Sequence, residues 1–272
     1  NPNPNPKQVE AFPGEGLHAR CDPSYREKVV AEMASYGNGI EKLIDFQQPR
    51  PQDHFERREL NGIFPQRQPG LFRVGVHVPV GRLSVQEARD LADIADKYVP
   101  GGEIRLTVEE NVILPNVKEA DLAALRAEPT LNPPYRLSIN PGNIAGNVVS
   151  CTGAQFCGLA MVETKNNAED IAKILETRVE VPRAVRIHWT GCPNSCAQVQ
   201  VADIGLMGAP AKKMIDGKAK AVPGVNIFVG GTIGENAFLA LEPYKKGVPM
   251  ADDDILPVLV EIAKEKFGAV DK

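Results

Sequence analysis

The residues with the most chemistry to offer are four cysteines in two loosely spaced pairs. Cys151 and Cys157 bracket five residues in CTGAQFC, and Cys192 and Cys196 bracket three in GCPNSC. Thiolates gathered in this way point to a metal centre. Structural zinc sites typically use tight pairs, with about two to four intervening residues, and often complete the set with histidine. A 4Fe-4S cube is wider and accepts looser loops, so the spacing favours iron–sulfur over zinc. The neighbouring residues suit that reading. Thr152-Gly153, Gly158 and Gly191 keep the chain slim where backbone N–H groups must approach buried sulfur. Pro193 stiffens the second loop and lowers the entropy of ordering it. Asn194 can offer an amide N–H toward sulfur. Cys21 stands far upstream and reads as a free thiol.

The rest of the composition narrows the choice of chemistry. The chain has 272 residues, 43% hydrophobic and 24% charged, as in a globular protein of one large or two modest domains. Its formal net charge of −4 gives no electrostatic footprint for nucleic acid. No apolar run approaches the ~18 residues of a membrane span. An odd cysteine count, clustered rather than dispersed, is not a secreted disulfide framework. No serine–histidine arrangement for nucleophilic catalysis and no phosphate-cradling glycine motif is present.

The elements that must position the cysteines follow from periodicity. Residues 1–53 read as an irregular lead-in, a helix starting near Asp22 and ending at Gly37, and a linker at PRPQD. Phe72, Val74, Val76, Val78 and Val80 alternate with other residues as in a strand, which places His77 on the less buried face. Ser84 and Glu87 have capping-box spacing, and Val85, Ala88, Leu91, Ala92 and Ala95 would form the buried face of the helix they start. Gly101-Gly102 stops it. Strands at 103–108 and 111–115 and a short helix at 121–127 follow. This β-α-β-β-α order predicts a ferredoxin-like half-unit over 54–146. A loop with NPP and NPGN leads to a second domain, 147–272. There the reading places a helix at 167–178, strands at 184–189, 200–207 and 225–231, and a final helix from Asp252 to Phe267 stopped by Gly268. His188 reads as a packed strand residue, and Lys212, Lys213, Lys218 and Lys220 as a solvated turn. The fold class predicted is α+β, a ferredoxin-like half-repeat followed by a mixed α/β cluster-binding domain.

CTGAQFCGLAMVETK, followed by HWTGCPNSCAQVQVADIGLMG, resembles the siroheme- and 4Fe-4S-binding half of the ferredoxin-dependent nitrite reductases. The segments HFERRELNGIFPQRQPGLFRVGVHVPVGRL and GEIRLTVEENVILPNV resemble the ferredoxin-like repeat that precedes it. The likeness covers about residues 54–270 and only the C-terminal half of the family's length. The paired motifs are shared with sulfite reductases.

The resemblance implies a 4Fe-4S cluster on Cys151, Cys157, Cys192 and Cys196, with Cys196 also the axial ligand of siroheme and Asn194 beside the cofactors. It implies reduction of nitrite to ammonia with electrons from reduced ferredoxin. It implies a plastid location, or the cytoplasm of a cyanobacterium; charge and hydropathy, as above, point to no nucleic-acid or membrane partner. It further implies that the basic residues neutralising nitrite come from the N-terminal half of the enzyme. At the matching position this chain has Glu109, which cannot bind an anion, so the chain is expected to be inactive alone. Arg57, Arg58, Arg67 and Arg82 are candidates for siroheme carboxylates or for structural ion pairs. The competing readings are a sulfite reductase, a 4Fe-4S electron-transfer module without siroheme, and a zinc-stabilised structural domain.

Overall fold

The computed structural model describes residues 60–233 and 237–272, together with Glu27, Lys28 and Ala31. The chain divides into two compact units, Asn1–His54 and Phe55–Lys272. In the first, Glu27, Lys28 and Ala31 are helical, inside the helix expected after Asp22. The ends of that helix, Cys21, PRPQD, Arg57 and Arg58 lie outside the described residues. All elements named below belong to the second unit.

Strands β1 (Gly62–Pro65), β2 (Leu71–Val76), β3 (Arg105–Leu106) and β4 (Val112–Lys118) form an antiparallel sheet in the order β1-β2-β4-β3. The strand read from Phe72 onward is present but ends at Val76, and its burial deepens along the strand instead of alternating. Pro79 cannot donate to a ladder, and the chain turns there. Helix α1 (Val85–Tyr98) starts with the expected capping box. Ser84 Oγ accepts the Glu87 N–H at 3.2 Å, and the Glu87 carboxylate accepts the Ser84 N–H at 2.7 Å.

The face that α1 buries differs from the expected one. Leu91 and Ala95 are inside, but with Glu87, Ile94 and Tyr98; Ala88 and Ala92 are exposed and Val85 is 73% exposed. Ile94 and Tyr98 remove more apolar surface from water than alanines do, and they fix the rotation of the helix. They pack with Val74, Val76, Leu114 and Leu125 in one core. The short helix α2 (Leu122–Arg126) closes this half.

His77 also departs from expectation. It is buried, because the backbone pairs with Ser138 and the ring meets Asn111. Asn111 Oδ1 accepts both the Val78 N–H (2.9 Å) and His77 Nδ1–H (3.0 Å), which fixes the proton on Nδ1.

The second half is built on a five-stranded sheet in the order β10-β9-β8-β7-β5. Its members are β5 (Val148–Ser150), β7 (Ile187–Thr190), β8 (Ile204–Ile215), β9 (Lys218–Val229) and β10 (Lys245–Pro249). β5, β7 and β8 run parallel, and β9 and β10 antiparallel to their neighbours. Helices α3 (Lys165–Arg178) and α4 (Asp252–Phe267) bury Ile171, Leu175, Ile255 and Leu259 in a common core with Trp189, Leu206 and Ile227. β6 (Val179–Glu180) pairs with β11 (Val270–Asp271) at the ends of those helices. Gly268 has φ 67° and stops α4 as expected. The stretch 212–220 is not a loop. Strands β8 and β9 continue through it, only Asp216-Gly217 turn, and Lys213 pairs with Asp254 of α4. A hairpin of twelve-residue strands satisfies its own ladder, which local lysine content does not reveal.

Burial holds the His77 imidazole below the usual histidine range; Arg136 adds to this, while Asn111, Glu169 and Glu176 oppose it. The unfolded chain therefore takes the proton first, and stability is lost as pH falls through about 6.5. Urea unfolding between pH 7.5 and 5.5 should show this loss, at most about 1.4 kcal/mol per pH unit from this group. His77→Gln should flatten the slope, and a variant with the wild-type slope would exclude His77 as its source.

Candidate metal centre

Both cysteine motifs start at the carboxyl ends of neighbouring parallel strands, where open α/β sheets present their sites. Cys151 follows β5. Gly191 and Cys192 follow β7. Register pairs Ser150 with Trp189, so the two loops leave the sheet side by side. Cys151 N–H donates to the Trp189 carbonyl at 3.0 Å. Gly191 N–H donates to Cys151 Sγ at 3.2 Å, and the Gly191 carbonyl accepts the Met161 N–H at 2.8 Å. The first loop leads into α3 and returns the chain to β7; the second is itself the crossover from β7 to β8.

Each loop is further tied down. The Thr164 hydroxyl, fully buried just ahead of α3, donates to the Cys151 carbonyl at 2.7 Å and stands 3.7 Å from its sulfur. Cys157 N–H closes a turn on the Gly153 carbonyl at 3.0 Å. Cys192 is buried, and its carbonyl accepts the Ser195 N–H at 3.2 Å. Ser195 takes the left-handed φ of 51° that the tight GCPNSC turn requires. Its hydroxyl donates to Gln200 Oε1 at 2.7 Å. His188 Nδ1–H donates to the Ala197 carbonyl at 2.7 Å, so this strand histidine pins the residue after Cys196. Cys151 and Cys157 are half-buried and Cys196 is exposed; all four are free thiols. Asn194 is exposed at the tip of the second loop.

The glycine at 191 has a geometric reason. A Cβ there would lie 2.7 Å from Ala160 Cβ and 3.1 Å from the Val162 carbonyl oxygen. The two cysteine loops thus pack backbone against backbone. Gly158 has open space around it and makes no such demand.

A cavity of about 350 Å³ opens beside the loops, lined by Cys151, Cys196, Ser150, His188, Arg186 and the glutamates of the β3–β4 turn. Arg186 is 4% exposed, and its Nε lies 2.6 Å from Glu109 Oε1. Glu109 thus faces a cation of its own chain. Glu110 accepts the Ser150 N–H at 3.0 Å and pairs with Lys165 at 3.3 Å. Burial raises the Glu110 carboxyl above its usual range, with Lys165 and the Ser150 N–H pulling it back. Arg82, the described member of the arginines considered for cofactor carboxylates that meets a cysteine motif, donates to Gln155 Oε1 at 2.7 Å and so holds CTGAQFC.

Among the described residues, no three His, Cys, Asp or Glu side chains stand as a group that could hold a metal ion. What fits a cluster is the donor set and its surroundings: four free thiols on two touching loops, with buried donors at Arg186 Nη1, Trp189 Nε1 and Thr190 Oγ1 that make no hydrogen bond within the protein. The sequence reading missed Lys165, Thr164, Glu110 and Arg186. Their signal was chemical type without spacing, which only the fold turns into proximity.

Residues 64–131 match the Nitrite/Sulfite reductase ferredoxin-like half domain, and residues 142–264 match the Nitrite and sulphite reductase 4Fe-4S domain. The chain belongs to the nitrite and sulfite reductase superfamily. It is 51% identical over 216 residues to the chloroplastic ferredoxin–nitrite reductase of Zea mays, covering 79% of this chain and 37% of the relative. It is 50% identical over 215 residues to the ferredoxin–nitrite reductase of Synechococcus elongatus, covering 79% of this chain and 40% of the relative. Among solved structures, Mycobacterium tuberculosis NirA superposes with a TM-score of 0.67 at 26% identity, over 85% of this chain and 40% of that one. The chain therefore spans well under half the length of these relatives. The α+β architecture agrees with a ferredoxin-like half domain followed by a 4Fe-4S domain.

The close approach of β8 to the second loop gives a test of this packing. A Cβ on Gly208 would lie 2.2 Å from the Gly191 carbonyl oxygen. Gly208→Ala should cost about 1–3 kcal/mol in thermal or urea unfolding. Gly158→Ala, with nothing within 4 Å, should stay within about 0.5 kcal/mol of wild type. Equal effects of the two would refute the packing argument.

Proposed function

We propose that this chain is the cluster-bearing half of a ferredoxin-dependent nitrite reductase. Cys151, Cys157, Cys192 and Cys196 would hold a 4Fe-4S cluster, and Cys196 would also be the residue offered to siroheme. The observation that carries the reading is the tie between the two loops, Gly191 N–H to Cys151 Sγ. When bound, the two cofactors supply the electron storage and transfer for the six-electron reduction of nitrite to ammonia.

The chain's own residues hold and tune that centre. Thr164 and Trp189 fix the backbone of Cys151, and Ser195 and His188 fix the loop that carries Cys196. The Gly191 N–H neutralises part of the Cys151 thiolate charge. Asn194, exposed at the tip of its loop, would contribute to cofactor binding. Cys196, the exposed member of the set, is the one free to face a second cofactor.

Nitrite is favoured over sulfite because the relatives near 50% identity are named nitrite reductases. Reduced ferredoxin is the electron donor, and the partner half of the enzyme brings the cations that nitrite requires. The location is the plastid stroma, or the cytoplasm for a cyanobacterial chain.

Anaerobic reconstitution of the full chain with iron and sulfide tests this. About four irons per chain and broad visible absorption are expected. Added siroheme should bind with a Soret band, and Cys196→Ser should abolish that binding along with the cluster. The chain alone should not reduce nitrite, for want of cations at the substrate face. Stoichiometric zinc without iron would overturn the assignment, and a cluster that takes up no siroheme would leave an electron-transfer module.

A further inference from the structure

Strand β5 is an edge of the five-stranded sheet. Its pairing with β7 directs the peptide groups of Cys151 inward, since Cys151 N–H bonds the Trp189 carbonyl. Those of Ser150, one residue earlier, point outward, where no strand waits. Two side chains stand in for one. Glu110 Oε2 accepts the Ser150 N–H at 3.0 Å, and Lys165 Nζ donates to the Ser150 carbonyl at 2.8 Å. The two side chains also pair with each other, at 3.3 and 3.4 Å. The same ammonium donates to the Val80 carbonyl.

This arrangement is built at a cost in backbone strain. Val80 is a β-branched residue at φ 47°, and Glu110 sits at φ 62°. Both belong to the ferredoxin-like half, yet Val80 is buried in the core of the other. Strain of this kind persists where surrounding contacts over-determine it, and it clusters at functional sites. Here the over-determining contacts converge on the peptide group next to Cys151. The charges are largely withdrawn from water, with 13% of the Lys165 side chain and 26% of the Glu110 side chain exposed. Charges so placed act on a neighbouring centre with less screening than surface charges do.

We propose that Lys165 and Glu110 form a positioning pair for the cysteine centre, which fixes the Cys151 end of β5 and sets, by two opposed charges, how readily that centre accepts an electron. This rests on the reading of the centre as an iron–sulfur cluster. An added electron is stabilised by the nearby ammonium and destabilised by the nearby carboxylate. The two residues share one clamp, so a purely structural role makes their removal alike. An electrostatic role makes it opposite in sign.

The test is an EPR-monitored dithionite titration of the full chain after reconstitution, in wild type, Lys165→Met, Lys165→Arg and Glu110→Gln. Lys165→Met should move the cluster midpoint to more negative potential, Glu110→Gln to more positive potential, and Lys165→Arg should stay near wild type. If Lys165→Met fails to assemble, Glu110→Gln and Lys165→Arg still decide. A Glu110→Gln midpoint that is unmoved, or displaced to negative potential, overturns the inference. So do shifts of one sign in Lys165→Met and Glu110→Gln. A wild-type chain that takes up no iron overturns the functional reading as well, whereas a loaded chain with unmoved midpoints overturns this inference alone.

Discussion

The pairing of β5 with β7 is the constraint on which the site depends. Parallel strands cannot be joined by a tight turn, so each must leave its carboxyl end through a crossover. That requirement places two long connections at one edge of the sheet, and each carries a cysteine pair. A three-residue strand gains little from propensity. Its register is fixed instead by Val148 packing in the core and by the hydrogen bonds that flank Ser150. A slip of one residue would turn Cys151 to the other face and separate it from Gly191. The metal chemistry therefore depends on strand register before it depends on thiols.

The acidic turn between β3 and β4 extends that constraint into the ferredoxin-like half. Consecutive glutamates reach two cations of the cluster domain, Glu109 to Arg186 and Glu110 to Lys165. Ion pairs partly withdrawn from water in this way contribute little net stability, because desolvation offsets their attraction. Removing one partner is costly, however, since it leaves an uncompensated charge. The pairs thus specify the placement of the turn more than they stabilise the fold. Val80 adds an apolar lock, placed in the second core by a backbone conformation that a valine adopts only under such restraint.

The legible parts of the sequence were those that depend on local spacing. The capping box at Ser84 and Glu87, the stop at Gly268 and the two cysteine motifs all act within a few residues of themselves. The failures were tertiary. Ala88 and Ala92 are compatible with a buried face but do not demand one, and the larger Ile94 and Tyr98 decided the rotation of α1. His77 alternates like an exposed strand residue, yet Asn111, distant in sequence, supplies the partner that lets it be buried. Lysines in 212–220 signalled a turn where a long hairpin carries its own hydrogen bonds. Lys165 carried no signal at all, being an ordinary lysine at a helix start until β5 is seen to be an edge.

The same acidic turn bears on why the substrate chemistry should lie elsewhere. An anion reduced beside an anionic macrocycle needs cations that are free to reorganise toward it. In the cavity that holds Cys151 and Cys196, the wall supplies Arg186, and Glu109 already lies against it at 2.6 Å. A guanidinium so engaged offers an incoming anion one remaining side, against the repulsion of an adjacent carboxylate. The geometry thus suits a half that stores electrons and fixes ligands, with its charges committed to holding the cysteine loops. Under the proposed reading, the cations that an anionic substrate requires would come from residues other than those of this acidic turn.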